Sequence, residues 1–293
     1  MISTDSDFSI KERVIYDYLC RYSETLNFML FENKMIYIND LLNKLNQNEL
    51  KRFSIFLNEI SFYDRIYSKM LKIHRDFFGI LDLLYPATSL YYLEDVSIKD
   101  LEMGLSTCVF EDLKSYFQDS YESITSNLII IKGLDNIVNR DAYDCFPHPN
   151  MTIEKFQSLS KGSKLDSVNK LNEKFSTILD LKNDFVNLRN AIGHNDFEYN
   201  QIEQRIVYKL NKDSDTIESK FLVEVALACL NQMKSSMILM YISLVLERKI
   251  HRDDNCGALP KFMYKNCNRN SRCPCGSMKN FGQCCKKVIK KSS

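Results

Sequence analysis

Apolar positions recur at spacings of three and four through most of this chain, the pattern of amphipathic helices. A first helix is expected over about residues 8–31, with Ile10, Val14, Tyr18 and Tyr22 on one stripe. A second, over about 47–84, carries Leu50, Phe53, Phe56, Leu57 and Ile60. It stops near Tyr85-Pro86, because proline disfavours helix at the residue before it. A short helix is expected after Ser97, with Asp100 as its capping partner. Phe110, Leu113, Phe117, Tyr121, Ile124, Leu128, Ile131 and Val138 predict one long helix that ends before the loop Cys145-Phe-Pro-His-Pro-Asn150. Another long helix covers about 165–194, its buried stripe running Val168, Leu171, Phe175, Ile178, Phe185, Leu188 and Ile192. Phe197-Glu-Tyr199 and Arg205-Ile-Val-Tyr-Lys-Leu210 read as two strands of a short hairpin or as an irregular arm. From near Ile217 to Ile250 the chain is apolar nearly all round, as befits a helix in the middle of a bundle.

The expected fold is therefore all-α: a helical bundle with a short β-hairpin excursion and a small C-terminal knob. We divide it into an N-terminal helical region (1–100), the bundle (101–250) and a tail (251–293). Composition agrees with this pattern. Eight glycines and five prolines in 293 residues are too few for a turn-rich β architecture.

Charge changes the picture more. The net charge is +1, yet residues 251–293 hold ten Lys or Arg against Asp253 and Asp254, a tail of +8 on a body of −7. Such a tail suits a nucleic-acid or ribosome contact, or else is a solvated end that aids solubility. Met1-Ile-Ser-Thr-Asp lacks the basic and apolar regions of a secretory signal. The most apolar run, Met237 to Leu246, is about half of what a bilayer needs. A cytoplasmic setting without membrane contact is the expectation, and clustered cysteines there point to metal rather than disulfides. Cys20, Cys108 and Cys229 lie in apolar contexts and read as small buried hydrophobes.

Four other cysteines do cluster. Cys273, Cys275, Cys284 and Cys285 follow the spacing C-x-C-x8-C-C, enough thiolates in a short segment to close a tetrahedral zinc shell. With no open coordination position, that zinc is structural, and its binding supplies folding energy that so small a segment lacks. The run from Asn268 to Cys285 resembles the SEC-C motif, a zinc-binding appendage found on many unrelated bacterial proteins. The resemblance implies an interaction surface, with Lys279 and Phe281 exposed and Lys286, Lys287, Lys290 and Lys291 extending its basic face. Cys256 and Cys267 fall outside the pattern.

The second motif is Leu188-Arg-Asn-Ala-Ile-Gly-His-Asn-Asp196, at the end of the 165–194 helix. Gly193 and Asn195 are natural terminators, so His194 is expected in the last turn, where the helix dipole favours its charged form. Asn190 sits one turn back and can hydrogen-bond the imidazole. Arg189 continues the heptad step from Val168 through Phe175 and Lys182, which suggests a wet interface or cleft. A histidine that moves protons and a cation that holds charge on phosphorus are what phosphodiester cleavage needs. The same pair equally describes a histidine capping its helix and an arginine in a surface ion pair.

This string resembles the R-x4-H signature of the HEPN superfamily, whose usual polar residue after the arginine is here Asn190. The resemblance covers about 101–250. It implies a dimerising helical bundle with two motifs facing one cleft, and metal-independent endoribonuclease activity of the kind used by toxins and antiphage effectors. His194 would then be the general base or acid, Arg189 would stabilise the transition state, and Asn190 would position His194. Attack by the RNA 2′-hydroxyl would leave a 2′,3′-cyclic phosphate and a 5′-hydroxyl. Members controlled by a partner nucleotidyltransferase continue R-x4-H-x-Y, whereas this chain has Asp196, with Tyr199 out of register. Asp196 either raises the His194 pKa or faces solvent.

Two functions therefore compete. One is a homodimeric ribonuclease acting on tRNA, rRNA or mRNA, brought to RNA, ribosome or protein partner by its zinc tail. The other is a non-catalytic adaptor with the same tail. His74-Arg75-Asp76 matches the opening letters of a kinase catalytic loop without any companion motif and reads as a solvated helix face. His148 reads as a loop-packing residue.

Overall fold

A computed structural model describes residues 29–91, 104, 105, 107–169, 179, 185–209, 216–251 and 283, together with 11, 14, 15, 18, 19 and 21. Cys273, Cys275, Cys284 and Cys285, the short helix after Ser97 and the middle of the 165–194 helix lie outside those residues. What is described is mainly helical with a small antiparallel sheet: α1 (Met29–Lys44), α2 (Gln47–Glu59), α3 (Phe62–Ile80), a 3-10 turn (Leu81–Leu84), α4 (Tyr85–Tyr91), α5 (Phe110–Ser126), α6 (Ile129–Arg140), α7 (Ile153–Ser158), α8 (Lys161–Asn169), α9 (Phe185–His194), β1 (Phe197–Asn200), β2 (Arg205–Lys209), β3 (Ile217–Phe221) and α10 (Leu222–His251).

Several expected helices are broken where the stripe alone gave no warning. The 47–84 segment is two helices, because Ser61 adopts φ 52° and turns the chain between α2 and α3. The approach to Tyr85-Pro86 is not a simple stop. A 3-10 turn leads into α4, whose first turn takes Pro86, a position where a missing N–H is harmless. The 110–138 segment likewise divides at Asn127, whose amide bonds back to the Ile124 carbonyl (3.0 Å). Among the described residues of the helix expected over 8–31, Ile15 and Leu19 are buried, Tyr18 is half-buried and Val14, placed on the expected stripe, is exposed.

The hairpin is real and has a third strand. β1 pairs antiparallel with β2 (Phe197 opposite Tyr208) and β2 with β3 (Ile206 opposite Lys220). Residues 217–221 are therefore strand rather than the start of the closing helix. The Phe221 amide donates to Glu224 Oε2 (2.9 Å), half of a capping box that fixes where α10 begins.

The chain forms two compact units, each drawn from separated stretches: 1–66, 130–153 and 237–293 in one, 67–129 and 154–236 in the other. In the first, Phe53, Leu57, Phe62, Ile131, Leu134, Met237 and Leu246 are buried. Ser54 donates to the Leu246 carbonyl and accepts from the Tyr63 hydroxyl (2.6 Å). Lys132 and Asp135 pair in the interior at 3.2 Å, and Asn139 donates to the same carboxylate at 2.7 Å. Burial lowers the Lys132 pKa against the opposing pull of Asp135. His148 is exposed in the 145–150 loop rather than packed into it. A Cβ added to Gly133 would lie 2.2 Å from the Phe53 ring, which is itself fully buried and stacked on Tyr143 at 5.2 Å. Gly133→Ala should therefore lower stability in urea unfolding by about 1–3 kcal/mol, despite alanine's better helix propensity.

In the second unit Phe77, Phe110, Leu113, Phe117, Leu188, Ile206 and Cys229 form the core, with Cys108 also buried. His74 belongs to it too. The His-Arg-Asp string is not a solvated face: Arg75 is exposed, but His74 is fully buried, with Nε2 2.8 Å from Ser236 Oγ. Ser236 already donates to the Met233 carbonyl (2.6 Å), so the imidazole is the donor. Burial pushes its pKa from 6.5 to about 3. Between those values the unfolded chain binds a proton that the native state refuses, so stability falls as pH drops from 6.5 toward 3. Urea unfolding at pH 7 and pH 5 should show a loss of about 2 kcal/mol that His74→Gln does not share.

Candidate functional site

The Arg–His helix is held by its apolar side. Phe185 meets Phe117 edge-on at 5.7 Å, and Leu188, Ala191 and Ile192 are buried, so α9 lies along α5. Of the two expected terminators, Asn195 ends the helix and Gly193 lies inside it. Asn195 takes φ 56°, its amide bonds the Ile192 carbonyl (3.1 Å), and the Asp196 amide bonds the Ala191 carbonyl (2.8 Å). That pair of bonds is a Schellman cap. It makes His194 the final helical residue, exposed, and turns the chain directly into β1, where Phe197 and Tyr199 pack on Phe110 at 5.3 and 5.6 Å.

Arg189 and His194 point differently. Five residues separate them by about 7.5 Å along the axis and about 140° around it. Arg189 lies along Gly193, whose added Cβ would sit 3.9 Å from the guanidinium. Its NH2 donates to Glu122 of α5, and its NH1 donates to the Asn190 side chain (3.1 Å). Among the described residues Asn190 thus serves Arg189 and makes no hydrogen bond to His194, contrary to the positioning role expected for it. Asp196 is exposed, and Tyr199 is half-buried against Phe110.

Glu122 is the residue that the linear motif does not contain. Its carboxylate bridges two cations, Arg189 and Lys161 of α8, the latter at 2.8 Å. Burial opposes its ionisation, but the hydrogen bonds and charges of Lys161 and Arg189 outweigh that and hold its pKa below the usual carboxylate range. The neighbouring Tyr121 hydroxyl and Arg189 Nε are buried without a hydrogen-bond partner among the described residues. Glu122 lies 67 residues before Arg189 on the edge of an apolar stripe, so nothing local marks it. Lys161 did carry a signal: it opens a helix, where the dipole disfavours a cation.

Beside the cap, Asn195, Asp196, Phe197, Glu198, Tyr208, Lys209 and Ile217 line an open cleft of about 320 Å³. Among the described residues no three His, Cys, Asp or Glu side chains converge as a metal site would. No family model matches the chain, and neither a curated protein nor a solved structure is significantly similar to it.

Gly193 is helical, exposed, and would meet its neighbours only at ordinary contact distances with a Cβ added. Gly193→Ala should raise stability in urea unfolding by about 0.5–1 kcal/mol, opposite in sign to Gly133→Ala.

Proposed function

We propose that this protein is an endoribonuclease of the HEPN type, with Arg189 and His194 as its working groups. The observation that carries the reading is the pairing of an exposed His194 at a rigid helix end with an Arg189 held in place by Glu122 and Asn190. An exposed imidazole can reach a substrate proton, and a guanidinium carried on the same helix can meet charge developing on phosphorus. Because the two side chains diverge around the helix, one copy does not close them on a single phosphate, and the facing motif of a second copy would complete the site. Asn190 supports Arg189 in this reading.

The tail would serve recruitment. Four thiolates at Cys273, Cys275, Cys284 and Cys285 suit a structural zinc by their donor chemistry, and the lysines that follow suit RNA, the ribosome or an acidic partner. One observation favours the second reading, a non-catalytic adaptor: Arg189 is already engaged in an ion network with Glu122, as a purely structural arginine would be.

The test is incubation of purified protein with tRNA, rRNA and a synthetic RNA in EDTA, with end mapping. Cyclic-phosphate and 5′-hydroxyl ends are expected, with His194→Ala slowing cleavage by about 10²–10⁴-fold and leaving the melting temperature unchanged or raised. Cleavage by His194→Ala at the wild-type rate would sink the assignment. A marked loss of stability in Arg189→Ala and His194→Ala, without cleavage by the wild type, would favour the adaptor.

A further inference from the structure

The cluster around Glu122 contains more positive charge than the motif needs. α8 opens Lys161-Gly-Ser-Lys164, two lysines in the turn where the helix dipole repels cations. Lys161 is met by Glu122. Lys164 is almost wholly buried and has no ion pair among the described residues, and the positive charges of Lys161 and Lys69 bear on it. Arg189 is shared between Glu122 and Asn190, with its Nε and the adjacent Tyr121 hydroxyl unpartnered among the described residues. The bridging groups are within reach from outside: the side chains of Lys161, Glu122 and Arg189 are 35%, 32% and 20% exposed.

A carboxylate and a phosphodiester present the same face to a guanidinium: one negative charge over two oxygens, accepting parallel N–H bonds. We propose that Lys161 and Arg189 form a two-cation clamp for a phosphodiester of RNA, whose seat the Glu122 carboxylate fills in the resting protein. Binding is an exchange. The RNA phosphate takes the Arg189 and Lys161 donors, and Glu122 moves into solvent, so the cluster's charge is the same before and after. Lys164 adds positive field beside the clamp. The clamp deepens the ribonuclease reading and rests on it, since it takes α9 to be the helix that meets RNA. It adds Lys161 and Glu122 as residues that set affinity.

The experiment is fluorescence anisotropy of a short labelled single-stranded RNA over a NaCl titration, in a His194→Ala background so that nothing is cut. Glu122→Gln keeps the shape and removes the competing charge, and should tighten binding roughly two- to fivefold. Lys161→Ala should weaken it by a similar factor and reduce the log–log salt slope by about one. Should Glu122→Gln fail to fold by circular dichroism, the part-exposed Lys161→Ala carries the test alone. Unchanged or weaker binding by a folded Glu122→Gln would overturn the clamp and make Glu122 a fixed support for Arg189. So would a Lys161→Ala salt slope equal to that of its parent, or no RNA binding at any salt. RNA that is bound with these responses yet never cut by the wild type would instead remove the ribonuclease reading and leave the clamp standing.

Discussion

A helix with no outward face dictates most of this molecule. α10 is thirty residues long, and from Leu222 to Arg248 all but Glu224, Leu227 and Asn231 are buried. A helix buried on every side leaves each of its polar side chains needing a partner from the fold. Four of them show how that need is met: Gln232 accepts from Ser120 (2.6 Å), Ser236 meets His74, Tyr241 accepts from Asn39, and Ser243 turns back to the Leu239 carbonyl (2.7 Å). The first three each pin one surrounding helix at one height, which apolar packing alone, being non-directional, does not do.

That constraint reaches the candidate site through α5. Ser120 on Gln232 sets the height of the helix that also carries Tyr121 and Glu122, and Phe117 of the same helix receives Phe185 of α9. Arg189 is therefore held by a chain of contacts whose other end lies in the core. The Schellman cap does the corresponding work for His194, fixing where the helix ends and where the strand begins. One side chain of the motif is anchored and the other is exposed.

What the sequence disclosed follows from the range of each signal. Helices with long apolar stripes, the 145–150 loop and the terminator Asn195 are set by residues within a turn or two of one another, and they were legible. The breaks at Ser61 and Asn127 were not, because neither is a glycine or proline and the stripe on either side continues. β3 was hidden by apolar continuity: Ile217 and Phe221 extend the α10 pattern backward, and only the Glu224 capping bond reveals the boundary. His74 shows the same limit from the other side. Its neighbours Arg75 and Asp76 made the string look solvated, whereas one residue of the three points inward to a partner 162 positions away. Glu122 belongs with it, since a partner so distant in the chain leaves no local pattern. The four cysteines proposed as zinc ligands, by contrast, lie close together in the chain, so their spacing alone carries that reading.

The interleaving of the two units bears on how the chain is made. Each unit takes its closing segment from α10, one from residues up to 236 and the other from 237 onward. During vectorial synthesis neither core can close until that helix leaves the exit tunnel, so the apolar stripes of α2, α3 and α5 must wait uncovered while the residues between them and α10 are translated. Both units then mature almost together, in a late and strongly non-local step of the kind that slows folding. A nascent chain of this design acquires its assembled Glu122–Arg189–Lys161 cluster only once α10 has been translated, and until then it depends on whatever shields exposed apolar surface in the cell.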